Sequence, residues 1–162
     1  MSPSQSFNEL TSKIGKCSGF EEIIADLALN NSGLKLSGLP NSLGAFLISH
    51  IHSNLDRNIV VITAEVEGAE KWRDDLQAII GKEHVSYFPA WENNVYENNS
   101  LTQEACALRI ETATHLLNGK RQVIVAPAIA LLVPLIPPHA LELSTLKMQI
   151  GQQHDVNEIL TH

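Results

Sequence analysis

Apolar side chains recur with the 3.6-residue period of an amphipathic helix in four stretches of the chain. These stretches cover residues 20–31, 42–55, 67–81 and 102–119. Ser42 and Thr102 stand where a helix-capping side chain would be placed, and Gly81 and Gly119 stand where a helix would end. The pattern therefore predicts four helices, the first of them ending at the polar residues that precede Gly33.

Short runs between and after these helices are rich in β-branched, aromatic and other apolar residues, which are typical of strands. They cover residues 33–38, 58–63, 84–89 and 121–127. Within the run at 58–63, residues 59–62 are continuously apolar and β-branched, the pattern of a strand that is buried on both faces in a parallel sheet. Strands that alternate with helices of this length form parallel sheets covered on both sides. The predicted fold is therefore α/β, a parallel sheet with helices on both faces.

The pattern changes after Pro137. Residues 141–150 alternate apolar and polar side chains, which predicts a strand with one face in water. A further helix is predicted to begin near Asp155, and few residues follow it to cover that strand. We therefore predict one domain over residues 1–137, and the first strand and partial helix of a second, α+β domain over residues 138–162, as in a piece of a longer protein.

The loop before the second predicted helix has the position of a phosphate-binding loop between a strand and a helix. A working loop of the form G-x-x-x-x-G-K-[ST] needs a second glycine to wrap the phosphate, a lysine to neutralise it and a hydroxyl to hold Mg²⁺. Aligned from Gly38, this chain keeps a polar Ser42 but has Leu43, Gly44 and Ala45 at those three positions. The residues alone leave two interpretations open, an ordinary turn or a phosphate loop that has lost its chemistry.

Composition limits the partners that the chain can have. Its net charge of −7 offers no electrostatic excess for a phosphate backbone, so we expect weak nucleic-acid binding by this chain. No apolar run approaches the roughly 20 residues that cross a bilayer. The first residues lack the basic and apolar regions of a signal peptide. Two distant cysteines, Cys17 and Cys106, match no metal or redox spacing. We expect a cytoplasmic protein with no membrane partner.

The common patterns of catalytic and metal sites are missing from the sequence. His50 and His52 are two residues apart on a predicted helix and point to different faces, whereas a helical zinc pair is four residues apart. The run at 121–127 ends in proline, where an ATPase strand would end in the acidic pair that holds Mg²⁺. We therefore predict no catalytic residue, no metal site and no cofactor for this chain.

Three stretches together resemble a known protein family. They are "GLPNS" at 38–42, "FPAWENNVYENNS" at 88–100 and "KRQVIVAPAIALLVPLIPP" at 120–138. From about Leu34 onward the chain resembles the N-terminal, UvrB-like region of the bacterial transcription-repair coupling factors (Mfd). The matching residues are Phe88, Pro89, Trp91, Glu92, Tyr96, Glu97, Arg109, Val125 and Pro127, while Val95 replaces a proline that is usual in the family.

This resemblance implies a fold similar to the first domain of the damage-recognition protein UvrB, which is of the P-loop NTPase (RecA-like) class. In the coupling-factor family the phosphate loop is degenerate, which implies that a lost nucleotide site lies at Gly38, Ser42, Leu43, Gly44 and Ala45. The full-length protein would be a DNA translocase that uses ATP and Mg²⁺, displaces stalled RNA polymerase and recruits UvrA for nucleotide excision repair. The motor and the surfaces that contact RNA polymerase and DNA would lie downstream of residue 162. UvrA would bind the completed second domain.

Two other functions stay open as alternatives. An active P-loop ATPase or helicase domain would need lysine at position 44, where this chain has Gly44. A free-standing protein-interaction module would need no such residue. The rings of Trp91 and Tyr96 have two interpretations, anchoring of their loop or stacking on nucleic-acid bases. Stacking needs a basic groove beside the rings, and the nearby Glu92 and Glu97 favour anchoring.

Overall fold

The computed structural model of the protein describes residues 13, 18–29, 33–39, 42–90, 103–145 and 151. Within these ranges the helices are α1 (Ser18–Leu29), α2 (Leu43–Asn54), α3 (Val66–Ile80), α4 (Gln103–Leu117) and α5 (Pro138–Leu143). The strands are β1 (Ile59–Thr63), β2 (Val85–Tyr87) and β3 (Val123–Pro127). Two short 3-10 helices, Lys82–His84 and Ala128–Leu132, precede β2 and follow β3. All four helices predicted from the apolar period are present.

The three strands form one parallel sheet in the order β1-β3-β2. In the register, Val123 of β3 lies beside Ile59 of β1 and beside Val85 of β2. Helices α2 and α3 cover one face of the sheet, and α4 and α5 lie against the other face. The prediction of an α/β fold with a parallel sheet and helices on both faces is confirmed.

Each face of the sheet contributes to its own apolar cluster. The cluster under α2 and α3 contains Ala45, Ala69, Leu76, Val85, Val123 and Val125. The cluster on the other face contains Phe88, Ala90, Ile124, Ala126 and Ala130. Alternate residues of β3 point into the two clusters, and every residue of β3 is buried because β3 is the central strand.

Glycine ends two of the helices as the sequence predicts. Gly81 follows α3 with a φ of 92°, and Gly119 follows α4 with a φ of 68°, conformations that other residues rarely adopt. Ser42 takes the predicted position before α2, but its side chain makes no capping hydrogen bond. Thr102, the other predicted cap, lies outside the described residues.

The strand predicted at 33–38 does not form. Residues 33–39 are irregular, and the side chains of Leu34 and Leu36 are 40% and 43% exposed. A strand is stabilised by its ladder and its cross-strand contacts, and this segment pairs with none of the three described strands. The apolar run was therefore insufficient evidence for a strand, and the described residues before this loop contain no strand.

The strand predicted over 141–150 is also wrong where the structure describes it. Residues up to Leu143 belong to α5, which begins at Pro138, a residue favoured in the first turn of a helix. Leu141 is buried because it packs on the same face of the sheet as α4. Residues 146–150 lie outside the described residues, and the domain division at residue 137 stays a prediction.

Burial of β1 on both faces is a further prediction that the structure corrects. Ile59 and Val61 pack under α2 and α3, but Val60 and Ile62 on the other face are 52% and 56% exposed. In the described part of the chain β1 is an edge strand, and α4 and α5 leave much of this face uncovered.

Candidate functional site

The residues predicted to mark a lost nucleotide site lie at the start of α2. Gly38 is exposed and has a φ of 79°, which suits glycine. Ser42 and Leu43 are half-buried at the beginning of the helix, whereas Gly44 and Ala45 are buried in its first turn. The last two residues therefore lie in the protein interior.

Gly44 lies directly against the indole ring of Trp72 in α3. A Cβ atom at position 44 would lie 2.6 Å from Cη2 and 3.0 Å from Cζ2 of that ring. Carbon atoms in contact are normally about 3.5–4.0 Å apart. Glycine at this position therefore allows α2 and α3 to approach closely, and a longer side chain would have to displace the indole.

Two backbone N–H groups at the start of α2 already form hydrogen bonds within the protein. The N–H groups of Ala45 and Phe46 both donate to the carbonyl oxygen of Ser42, at 3.0 and 3.2 Å. A phosphate loop instead presents successive N–H groups to its ligand. The geometry of this segment is that of a helix start packed against a neighbouring helix.

Arg109 of α4 contacts four other residues through its guanidinium group, a role that its match to the family pattern did not predict. Its side chain is buried, and Nη1 donates to the carbonyl oxygens of Pro89 at 3.0 Å and Ala130 at 3.3 Å. Nη2 donates to the carbonyl oxygen of Val133 at 3.4 Å, and the guanidinium lies 4.0 Å from the ring centre of Phe88. Arg109 thus holds together the segments that follow β2 and β3.

The pKa of Arg109 is shifted in the direction that burial of a charged group predicts. Removal from water lowers the pKa of the guanidinium below its usual value, and the nearby Cys106 acts in the opposite direction. The other buried residue of α4, Thr112, donates to the carbonyl oxygen of Leu108. Because the buried face of α4 carries polar residues, its apolar period alone did not reveal which residues point inward.

A second polar cluster ties the three strands together at their amino ends. The side chain of Gln122 is fully buried; its Nε2 donates to the carbonyl oxygen of Glu83, and its Oε1 accepts from the hydroxyl of Ser86 at 3.1 Å. The backbone N–H of Gln122 donates to Oδ1 of Asn58. Nδ1 of His115 lies 3.4 Å from the oxygen of Ser86. Since the Ser86 hydroxyl donates to Gln122, this serine–histidine pair is arranged for structure and not for nucleophilic attack.

The structure describes the histidines singled out in the sequence, but not the two aromatic residues Trp91 and Tyr96. Among the described residues, no group of three or more His, Cys, Asp and Glu side chains converges as metal ligands would. His50 packs on Phe20 with ring centres 6.0 Å apart, while His52 is buried. Trp91 and Tyr96 lie outside the described residues, so their roles stay predictions. No described helix has both the length and the apolar character needed to span a membrane.

Comparison with known proteins identifies relatives along most of the chain. The transcription-repair-coupling factor of Bacillus subtilis (strain 168) is 29% identical over 140 residues, 85% of this chain and 12% of that protein. The corresponding factor of Staphylococcus aureus (strain USA300) is 22% identical over 151 residues, 93% of this chain and 13% of that protein. The chain is a homologue of the transcription-repair coupling factors.

UvrB is a further relative. The UvrABC system protein B of Chlorobium chlorochromatii (strain CaD3) is 22% identical over 138 residues, which are 77% of this chain and 20% of that protein. No protein-family model matches the chain. The resemblance predicted from the aromatic and proline-rich stretches is therefore confirmed. The chain spans about an eighth of the length of the coupling factors that it matches.

Proposed function

We propose that the chain is a non-catalytic, UvrB-like module of a transcription-repair coupling factor. The observation that carries the proposal is the indole of Trp72, which occupies the space that a side chain at position 44 would need. In a working phosphate loop, lysine at that position extends to the phosphates and neutralises their charge. Leu43 and Ala45 replace the glycine and the hydroxyl that complete such a loop, so the ATP chemistry is assigned to other parts of the full-length protein.

For the full-length protein we propose an ATP- and Mg²⁺-dependent DNA translocase that displaces stalled RNA polymerase and recruits UvrA to the lesion. Its support is the homology to coupling factors and to UvrB over most of this chain. The motor and the contacts with polymerase and DNA are assigned downstream of residue 162. The acidic net charge of −7 agrees with that division, because the chain itself has no cationic excess for DNA.

We expect no binding of Mg-ATP by this chain, and isothermal titration calorimetry measures it directly. The groups that would contact the phosphate and the metal are replaced at Leu43, Gly44 and Ala45, and the N–H groups of Ala45 and Phe46 already donate to the carbonyl oxygen of Ser42. Circular dichroism of the same sample confirms that the protein is folded. Saturable binding with a Kd below about 1 mM, equivalent to about −4.1 kcal/mol, would contradict the proposal.

We expect the chain to retain no UvrA in a pull-down, whereas a version extended through the complete second domain retains it. Interfaces depend on a few anchor residues, often arginine, that are held in a fixed geometry. After Arg121 the chain contains one further lysine or arginine, Lys147. Equal retention by the two versions would place the contact in the first domain and contradict the assignment.

A second candidate, a protein-interaction module, is favoured by one observation. An apolar groove of about 380 Å³ lies between α4, α5 and the sheet, and its lining includes Val60, Leu117, Leu131 and Leu135. Leu132 beside it is 82% exposed. Contiguous apolar surface of this kind is uncommon on an isolated domain. Retention of UvrA by the chain alone would favour this second candidate.

A further inference from the structure

His52 is a buried histidine that the proposed function does not use. It lies in the last turn of α2, and only 4% of its surface is exposed. Its Nε2 atom is fully buried and has no hydrogen-bond partner among the residues that the structure describes. An imidazole in this position is tolerated when neutral, but its charged form would carry a desolvated N–H with nothing to accept it.

The groups that face His52 come from two other elements. The ring of His84, in the 3-10 helix before β2, lies 5.6 Å from the His52 ring, and Arg121 precedes β3. Two carboxylates contact these neighbours of His52 and not His52 itself. Asp56 lies 3.5 Å from Arg121, and Glu83 lies 3.9 Å from His84. In the described structure His52 therefore faces two cationic or ionisable groups and forms no ion pair.

We propose that His52 is a proton-sensitive latch, which fastens the end of α2 to the amino end of the sheet when it is neutral and releases it when it is charged. The helix dipole of α2 favours a cation at this end, but by only about 0.3–1 kcal/mol in ordinary settings. The burial of Nε2 without an acceptor, together with the nearby Arg121 and His84, opposes a positive charge on His52. The latch is independent of the function proposed above.

The direction of the pH effect follows from the same contacts. Burial, then Arg121 and His84, lower the pKa of His52 from its ordinary value of 6.5. As pH falls, the unfolded or released chain takes up this proton first. The contribution of His52 to stability is thus fully present above about pH 6.5 and is lost as pH falls through the lowered pKa of the folded state.

Release should be local, because the other end of α2 is held independently. Gly44 packs on Trp72 at that end, and α3 contacts all three strands. Acidification should therefore increase the opening of residues 49–55 before it affects α3. This difference separates a latch from acid unfolding of the whole domain.

Amide hydrogen exchange of the whole chain between pH 8 and pH 5, corrected for the intrinsic pH dependence of exchange, tests the latch. We expect exchange in peptides covering residues 49–55 to rise several-fold at pH 5, while peptides from α3 change little. His52→Gln should remove this pH dependence, and His139→Gln, at an exposed position in α5, should keep it.

A second variant allows the proposal to be tested even if the His52→Gln protein does not fold. Arg121→Gln removes a cation that opposes protonation, so the pH dependence at residues 49–55 should shrink and the pKa of His52, followed by NMR, should rise. Exchange at residues 49–55 that is equal at pH 8 and pH 5 would overturn the proposal. So would an identical pH dependence in the wild type and His52→Gln.

Discussion

Replacing Arg109 with methionine should lower the free energy of unfolding by about 3–5 kcal/mol, as expected when a buried charged group that several partners depend on is removed. The guanidinium donates to the carbonyl oxygens of Pro89, Ala130 and Val133 and stacks on Phe88. Each hydrogen bond to a charged group contributes about 1.5–3 kcal/mol, and methionine fills part of the volume while leaving those carbonyls unpaired. Urea denaturation followed by circular dichroism measures the change.

Two matched variants separate the effect of the Arg109 contacts from the general effect of removing an arginine. Arg57→Met removes an exposed arginine and should change stability by no more than about 0.5 kcal/mol. Arg109→Lys keeps the positive charge but loses the planar fork of donors, so it should destabilise the chain by an intermediate amount. A loss below about 1 kcal/mol for Arg109→Met would show that the segments after β2 and β3 are held by other contacts.

Gly44→Lys should destabilise the chain by about 1–3 kcal/mol and should confer no ATP binding. Helix propensity alone predicts the opposite sign, because lysine is favoured over glycine inside a helix by up to about 1 kcal/mol. The indole of Trp72 reverses that sign, since a Cβ at position 44 would lie 2.6 Å from it. Thermal unfolding and calorimetry with Mg-ATP measure the two effects separately.

A double-mutant cycle isolates the contact between the two helices. Gly44→Ala should destabilise the wild type, but should be neutral or stabilising in a Trp72→Leu background, where the space is open. Gly68→Ala in α3 is the control, because its Cβ would meet the Thr63 side chain at an ordinary 3.5 Å, and it should be stabilising. If Gly44→Ala stabilised both backgrounds, position 44 would be free, and the interpretation of a packed helix start would be wrong.

The sequence by itself determined four helices, three strands and the resemblance to the coupling factors. The apolar period marked α1 to α4, because a helix that packs on a sheet must present one apolar stripe. Gly81 and Gly119 marked two helix ends, since the positive φ needed there suits glycine. Three apolar runs became the parallel strands, and the aromatic and proline-rich stretches led to the coupling factors.

Only the tertiary structure decided which apolar segments form strands and which of their side chains are buried. Residues 33–38 and 141–143 alternate as strands do, but a strand forms only where a neighbour completes its ladder, and α5 buries Leu141 instead. Val60 and Ile62 are exposed because burial depends on what packs above a strand.

The roles of single residues likewise follow from contacts between segments distant in sequence. Gly44 aligns with the lysine of a working phosphate loop, but its packing against Trp72 depends on a residue of another helix. Arg109 was a family match without a role until the carbonyls after β2 and β3 were seen to converge on it. Periodicity records which face of a segment is apolar, whereas close approach, buried hydrogen bonds and buried charge depend on partners that only the folded chain brings together.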